Sequence, residues 1–267
     1  MIQTEQSTRP ETADRATRRI NLLDLPFDVV TFDQAVQKLI ELAKGDKPAY
    51  ATTANVDHVV RVHRRPELRP LYAAADLVVA DGTPLIWASR ILRTPLPERV
   101  AGSDLFPTLC AKAAEHDLSV FFLGGAPGTA QRAAETLQAR HAALRVVGTH
   151  CPPFGFENDE QECAQIVERI KRADPDILFV GLGSPKQERW IADHRTEYRA
   201  RLSIGVGISF SFVCGDVKRA PRWMQRVGLE WFHRLVQEPG RLWKRYLIDD
   251  LALIPLVLRN LVKRRAS

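Results

Sequence analysis

No stretch of this chain comes near the run of about 18 apolar residues that a membrane span requires. The longest candidate, Leu251 to Leu258, is bracketed by Asp249 and Asp250 on one side and Arg259 on the other. The N-terminus is polar through Arg19 and lacks the apolar segment of a signal peptide, so residues 1–19 are expected to form a disordered leader. Cysteine is scarce. Cys110, Cys151, Cys163 and Cys214 are scattered, form no C-x-x-C pair and have no histidine at zinc-ligand spacing. That excludes a secreted disulfide scaffold and a zinc module, and predicts reduced, mostly buried thiols in a cytoplasmic protein. A G-x-x-x-x-G-K-[ST] loop is also missing, which disfavours a P-loop nucleotide hydrolase.

What is present is enough for a large core: 267 residues, 45% of them apolar. The net charge of +6 is unevenly placed. From Lys218 to Ser267 there are 12 Lys/Arg against 4 Asp/Glu, a balance of +8, which leaves the rest of the chain at about −2. Three of the five tryptophans, Trp223, Trp231 and Trp243, fall among these basic residues. Cations beside interfacial aromatics suit an anionic lipid surface or a diphosphate, and equally suit an amphipathic helical hairpin with a solvated basic face.

Before that tail, short apolar runs alternate with helical patterns. Ile20 to Val30 reads as a strand pair, and Thr31 caps a helix carrying Ala35, Val36, Leu39 and Ile40. Tyr50 to Ala54, Leu77 to Ala80, Ser119 to Gly124, Leu144 to Val147, Ile177 to Val180 and Arg201 to Val206 read as strands, most with glycine-rich exits. The expected fold is α/β, a Rossmann-like, doubly wound and mostly parallel sheet over residues 20–217, with a basic, membrane-associating helical appendage over 218–267. Within the appendage Glu238-Pro239-Gly240 breaks one helix, and Pro255 is expected to kink or restart another.

In such a sheet ligands bind beyond the carboxyl ends of the strands. Asp81 stands at one such exit, in Ala80-Asp81-Gly82-Thr83-Pro84, where Thr83 and Pro84 look like the N-cap and first turn of a helix. It is a candidate general base, or else a carboxylate that merely shapes an Asp-Gly turn. Thr53 and Asn55 end another strand, either to bind a polar ligand or to cap the next helix. Gln187 lies in the first turn after Gly181-Leu182-Gly183-Ser184-Pro185. Gly124 and Gly125 open a turn through Gly128 that could bring backbone N–H groups to a phosphate. A dinucleotide site would want an acidic residue closing the next strand, and this chain has Gly148-Thr149-His150 there.

Taken together, Thr53-Ala54-Asn55, Leu77 through Gly82, Glu98-Arg99-Val100-Ala101-Gly102-Ser103-Asp104, Gly181 through Glu188, and Arg219-Ala220-Pro221-Arg222-Trp223 through Gln237-Glu238-Pro239 resemble the WecG/TagA/CpsF glycosyltransferases. The resemblance runs from about Leu22 to Tyr246. It implies an inverting, UDP-sugar-dependent hexosyltransferase that needs no cofactor and no D-x-D metal site. The sugar would be N-acetylmannosamine, its uronic acid or glucose, and the acceptor a polyprenyl-diphosphate-linked sugar of cell-surface polysaccharide synthesis. Asp81 would be the base, with Thr53 and Gln187 beside the reacting sugars and Asn55 and Arg99 as further contacts. Arginines of the appendage, Arg219, Arg222 and Arg226 being the nearest, would stabilise the leaving diphosphate. In Ser209-Phe210-Ser211 the chain departs from the family, which usually carries an acidic residue after the Phe; if that carboxylate contacts uracil or ribose, Ser211 alters the donor contact. The expected partners are the UDP-sugar, the lipid-linked acceptor and the anionic inner face of the cell membrane, with no nucleic acid; homo-oligomerisation is left open. The different-class alternative is a non-catalytic membrane or nucleic-acid binder on a degenerate Rossmann core, since clustered Lys/Arg attract any polyphosphate.

Overall fold

The structure, a computed structural model, describes residues 18–226 and 228–266. The expected leader, apart from its last two residues, lies outside the described residues, as do the side chains of Arg222 and Arg226. β1 (Arg19–Leu22) and β2 (Leu25–Asp28) pair as an antiparallel hairpin. Arg19 grips the buried Asp28 carboxylate through two bonds of 3.0 and 2.8 Å, and Asp28 in turn accepts the Val78 N–H at 2.7 Å, which ties the hairpin to the sheet.

The main body alternates strand and helix: α1 (Phe32–Ala43), β3 (Ala49–Ala54), α2 (Val56–Arg64), α3 (Arg69–Ala73), β4 (Leu77–Ala80), α4 (Thr83–Ile91) and α5 (Gly102–Glu115). Then follow β5 (Ser119–Gly124), α6 (Thr129–Arg140), β6 (Arg145–His150), α7 (Glu160–Ala173), β7 (Ile177–Gly181), α8 (Lys186–His194), β8 (Leu202–Gly205) and α9 (Ser209–Val213). α1 starts where the sequence predicts: Thr31 accepts the Gln34 N–H, the Gln34 side chain returns to the Thr31 N–H, and Ala35, Val36, Leu39, Ile40 and Ala43 are buried.

The six strands β4-β3-β8-β7-β5-β6 form one all-parallel sheet, helices covering it, in a Rossmann-like arrangement. Strands β3, β5 and β8 are buried along their whole length, as interior parallel strands must be; the edge strand β4 is buried too, with the β1–β2 hairpin against it, whereas the other edge strand, β6, is mixed. From β3 the chain steps outward to β4, then crosses to build the other half from β5. The strand order therefore reverses beside β3 and β8, and a crevice opens above their carboxyl ends.

The tail continues as α10 (Arg222–Arg226), α11 (Glu230–Gln237), α12 (Pro239–Lys244) and α13 (Leu253–Ala266). It packs on the sheet domain, for Leu253, Leu256 and Val257 are buried in the same core cluster as Leu85 and Ala88. Pro255 falls in the first turn of α13, where a missing N–H costs nothing, so the helix restarts rather than kinks.

At the head of α4 the cap differs from expectation. Gly82, at φ 149°, is the N-cap, and Thr83 and Pro84 are already helical. The Thr83 side chain is committed elsewhere: it packs on Gly228, where a Cβ would come within 3.0 Å of it. The only D-x-D tripeptide, Asp174-Pro175-Asp176, sits at the opposite, amino edge of the sheet. There the Asp176 carboxylate accepts the Ser119 N–H and hydroxyl at 2.7 and 2.9 Å and an Arg201 N–H at 2.9 Å.

Candidate active site

A cavity of about 1150 Å³ occupies the crevice, larger than the roughly 300–1,000 Å³ of common small-molecule sites. Strand exits form one wall: Thr53 and Asn55 after β3, Asp81 after β4, Gly181 to Ser184 after β7, and Val206 to Phe212 after β8. Arg99, Gly102 and Gln187 join them, and the tail closes the other side with Gly228, Glu230, Trp231 and Arg234.

Asp81 and Thr53 converge because β3 and β4 are paired in register and because Gly102 has no side chain. A Cβ there would lie 3.0 Å from Thr53 Oγ1 and 3.6 Å from Asp81 Oδ2. The Gly102 N–H donates to Asp81 Oδ2 at 3.1 Å, and the Asp81 N–H is held by the Ala54 carbonyl at 2.8 Å. Burial raises the Asp81 carboxyl above the ordinary range, while Arg99 and the Gly102 N–H pull it partly back. The Thr53 hydroxyl has no hydrogen-bond partner among the described residues. An oriented carboxylate of raised pKa beside an open hydroxyl is a geometry for taking a proton from a substrate hydroxyl.

Asn55 does both things the sequence allowed. It caps α2 by accepting the Asp57 N–H at 3.1 Å, and it lines the cavity. Gln187 lines the cavity too, but its amide is already engaged: Oε1 accepts the Gly207 N–H at 3.1 Å and Nε2 donates to Glu188 at 2.8 Å. It lies so close over β8 that a Cβ at Gly205 would be 2.5 Å from Gln187 Nε2.

Beneath these residues is a buried group that sequence reading did not single out. Glu188 is fully buried and accepts from Gln187 and, at 3.3 Å, from Thr52. His58, on α2, stands 3.6 Å from it through Nε2 and lies 2.8 Å from Asn55 Oδ1 through Nδ1. Burial pushes the Glu188 carboxyl up, but His58 and Gln187 outweigh it and hold the group below the ordinary range. The one signal in the sequence was spacing: His58 sits three residues after Asn55, on the helix that Asn55 caps.

The arginines sort differently from expectation. Arg219 is not on the cavity wall. It makes a two-pronged bridge to Asp104, at 2.5 and 3.2 Å, and approaches Glu230 at 3.8 Å. Arg99 does line the cavity, bonded to Glu230 at 2.8 Å. Two acids and two arginines thus clamp the start of α11 onto the sheet domain. The wall carries two further arginines: Arg61, paired with Asp57 at 2.6 Å, and Arg234, which lies 5.7 Å over the Phe212 ring. Arg234 has no ion pair among the described residues, and its Nε is a buried donor without a partner.

Of the glycine turn, Gly125 lines the cavity and Gly124 does not. Gly124 is needed for closeness, since a Cβ would meet the Gly181 carbonyl oxygen at 2.6 Å, and the Gly125 N–H is spent on that same oxygen at 2.9 Å. At the N-terminus of α6, Asp216 bonds the Thr129 hydroxyl at 3.1 Å and Arg132 at 2.5 Å. Ser211, on α9, faces the cavity. Among the described residues no three His, Cys, Asp or Glu side chains are grouped to hold a metal ion.

Residues 20–267 match the profile of the glycosyl transferase WecG/TagA/CpsF family. The chain belongs to that family. Among the relatives of this WecG/TagA/CpsF member is an N-acetylglucosaminyldiphosphoundecaprenol N-acetyl-beta-D-mannosaminyltransferase of Bacillus spizizenii (strain ATCC 23059 / NRRL B-14472 / W23), 33% identical over 231 residues, 86% of this chain and 87% of the relative. A protein of the same description from Staphylococcus aureus (strain MW2) is 31% identical over 251 residues, covering 93% of this chain and 94% of its own. The chain is therefore a glycosyltransferase built on a Rossmann-like sheet.

Proposed function

We propose that the protein transfers an N-acetylmannosaminyl group, with inversion, from a UDP-sugar to the N-acetylglucosamine of a polyprenyl-diphosphate-linked acceptor. The observation that carries the reading is the convergence of the Asp81 carboxylate and the open Thr53 hydroxyl in a cavity whose wall also carries Arg61, Arg99 and Arg234. The relatives' descriptions support the sugar and the acceptor. Asp81 takes the proton of the acceptor hydroxyl as that oxygen bonds to the anomeric carbon of the donor. The bond from that carbon to the UDP oxygen breaks on the opposite face, and its electron pair leaves with UDP. Arg234 places positive charge where the diphosphate departs, with Arg61 and Arg99 nearby, each already shared with an acid. Thr53 and Asn55 orient the sugars, and the Glu188–His58 pair holds Asn55 and Gln187 in place from below.

The test is UDP release from UDP-N-acetylmannosamine in the presence of a short-chain prenyl-diphospho-N-acetylglucosamine, with the disaccharide product identified by mass. Release only on addition of that acceptor is the expected result; no product with this pair would overturn the reading. Because arginine supplies the charge, full turnover is expected in EDTA, and dependence of the rate on added Mg²⁺ or Mn²⁺ would count against it.

The reading includes a place of work: the cytoplasmic face of the cell membrane. No helix among the described residues is long and apolar enough to cross a membrane. The tail's +8 balance and its exposed Trp223 and Trp243 suit reversible, salt-sensitive attachment to anionic lipid, each cation contributing roughly 1 kcal/mol.

A further inference from the structure

The polar residues account for only part of the cavity wall. α4 carries Trp87 and Ile91 one turn apart, and α13 carries Ile254 and Leu258 one turn apart; all four are more than half exposed, and all four line the same cavity as Asp81. Leu251, just before α13, extends the apolar wall. Leu253, Leu256 and Val257 of α13 are already buried in the core, Leu253 and Val257 reaching the cavity wall as well. These exposed side chains are therefore not needed to dock the helix. A contiguous apolar surface left open to water marks a binding site.

Resting on the reaction proposed above, we infer that this apolar groove between α4 and α13 seats the first isoprene units of the acceptor's prenyl chain. The mixed chemistry of this single cavity is the ground for choosing this occupant over the bilayer. Its wall combines the Asp81 carboxylate, the guanidinium groups of Arg61, Arg99 and Arg234, and the hydrocarbon of Trp87, Ile91, Ile254 and Leu258. A prenyl-diphospho-sugar presents the three complementary groups: reacting hydroxyl, diphosphate, apolar chain. An acceptor lying along the groove would match all three at once. Burying apolar chain at about 25 cal/mol per Å² would convert into affinity for that acceptor in particular.

The experiment uses the full-length protein without membranes and two water-soluble acceptors, N-acetylglucosaminyl-diphosphate esterified to a farnesyl chain or to a methyl group. The wild type is expected to show a KM at least about tenfold lower for the farnesyl compound. The variants Trp87→Ser and Leu258→Ser, and their combination, are expected to raise the farnesyl KM by about five- to tenfold each while kcat/KM for the methyl compound stays within about twofold. Exposed positions were chosen so that the fold survives the change. Retention of the full farnesyl preference in the double variant would overturn the inference. So would loss of binding to phosphatidylglycerol vesicles with the farnesyl KM unchanged, which would make the groove a bilayer contact. A wild type that turns over both acceptors with equal KM overturns the groove alone and leaves the reaction standing; a wild type that turns over neither overturns the reaction and the inference with it.

Discussion

Replacing Asp81 by asparagine is expected to lower kcat by about 10² to 10⁴ while donor affinity, measured by calorimetry with a UDP-sugar, changes by no more than about twofold. Asparagine keeps an oxygen for the Gly102 N–H, so the turn is preserved and only the base is removed. The raised pKa makes a second readout. Activity requires the ionised carboxylate, so the acid limb of kcat/KM should lie above the roughly 3.9 of an unperturbed aspartate, and the rate should fall as pH falls through the raised value. For stability the sign is opposite. Between the unfolded and the raised folded value the native state holds the proton longer, so stability falls as pH rises across that window and stays lower above it. Asp81→Asn should therefore melt higher than the wild type at neutral pH. Full activity with no gain in melting temperature would make Asp81 a turn residue only.

The second large effect is expected at Arg234. Arg234→Ala should reduce kcat by about 10² to 10³, in the range of removing one preorganised charge donor from a developing anion, with partial recovery in Arg234→Lys. Arg219→Ala is the informative comparison. Its guanidinium holds Asp104 and approaches Glu230, so its loss should loosen the tail and lower the melting temperature more than it lowers kcat. If Arg234→Ala turns over at the wild-type rate and Arg219→Ala does not, the assignment of charge to the diphosphate is reversed.

Much of this was legible in the chain itself. Continuous apolar runs ending in glycine or a polar residue predicted the strands, and the strand-exit rule brought Thr53, Asn55, Asp81 and Gln187 to one edge, where the structure has them. What local pattern could not show was partnership across long separations. Nothing near Arg219 announces that its acid is Asp104, 115 residues away, and nothing near Arg234 announces that it has no acid partner among the described residues. The arginines of a basic tail look alike until the fold distributes the acids among them. Glu188 was visible as part of a motif, but its burial depends on α8 meeting His58 of α2 and Thr52 of β3 beneath the site. The Thr83 cap was misread for the same reason: its side chain answers to Gly228, a residue of the tail.

The carboxylate of Asp216 at the head of α6 has an evolutionary consequence. In dinucleotide enzymes that helix end is the address of the pyrophosphate. Here a resident anion holds it, bonded to Thr129 and Arg132. A mutation that merely added a ribose-binding acid after β6 would therefore not turn this scaffold into a dinucleotide enzyme, because the side-chain donors at the helix end, Thr129 and Arg132, would still be taken by Asp216. Descent in that direction has to begin by losing Asp216.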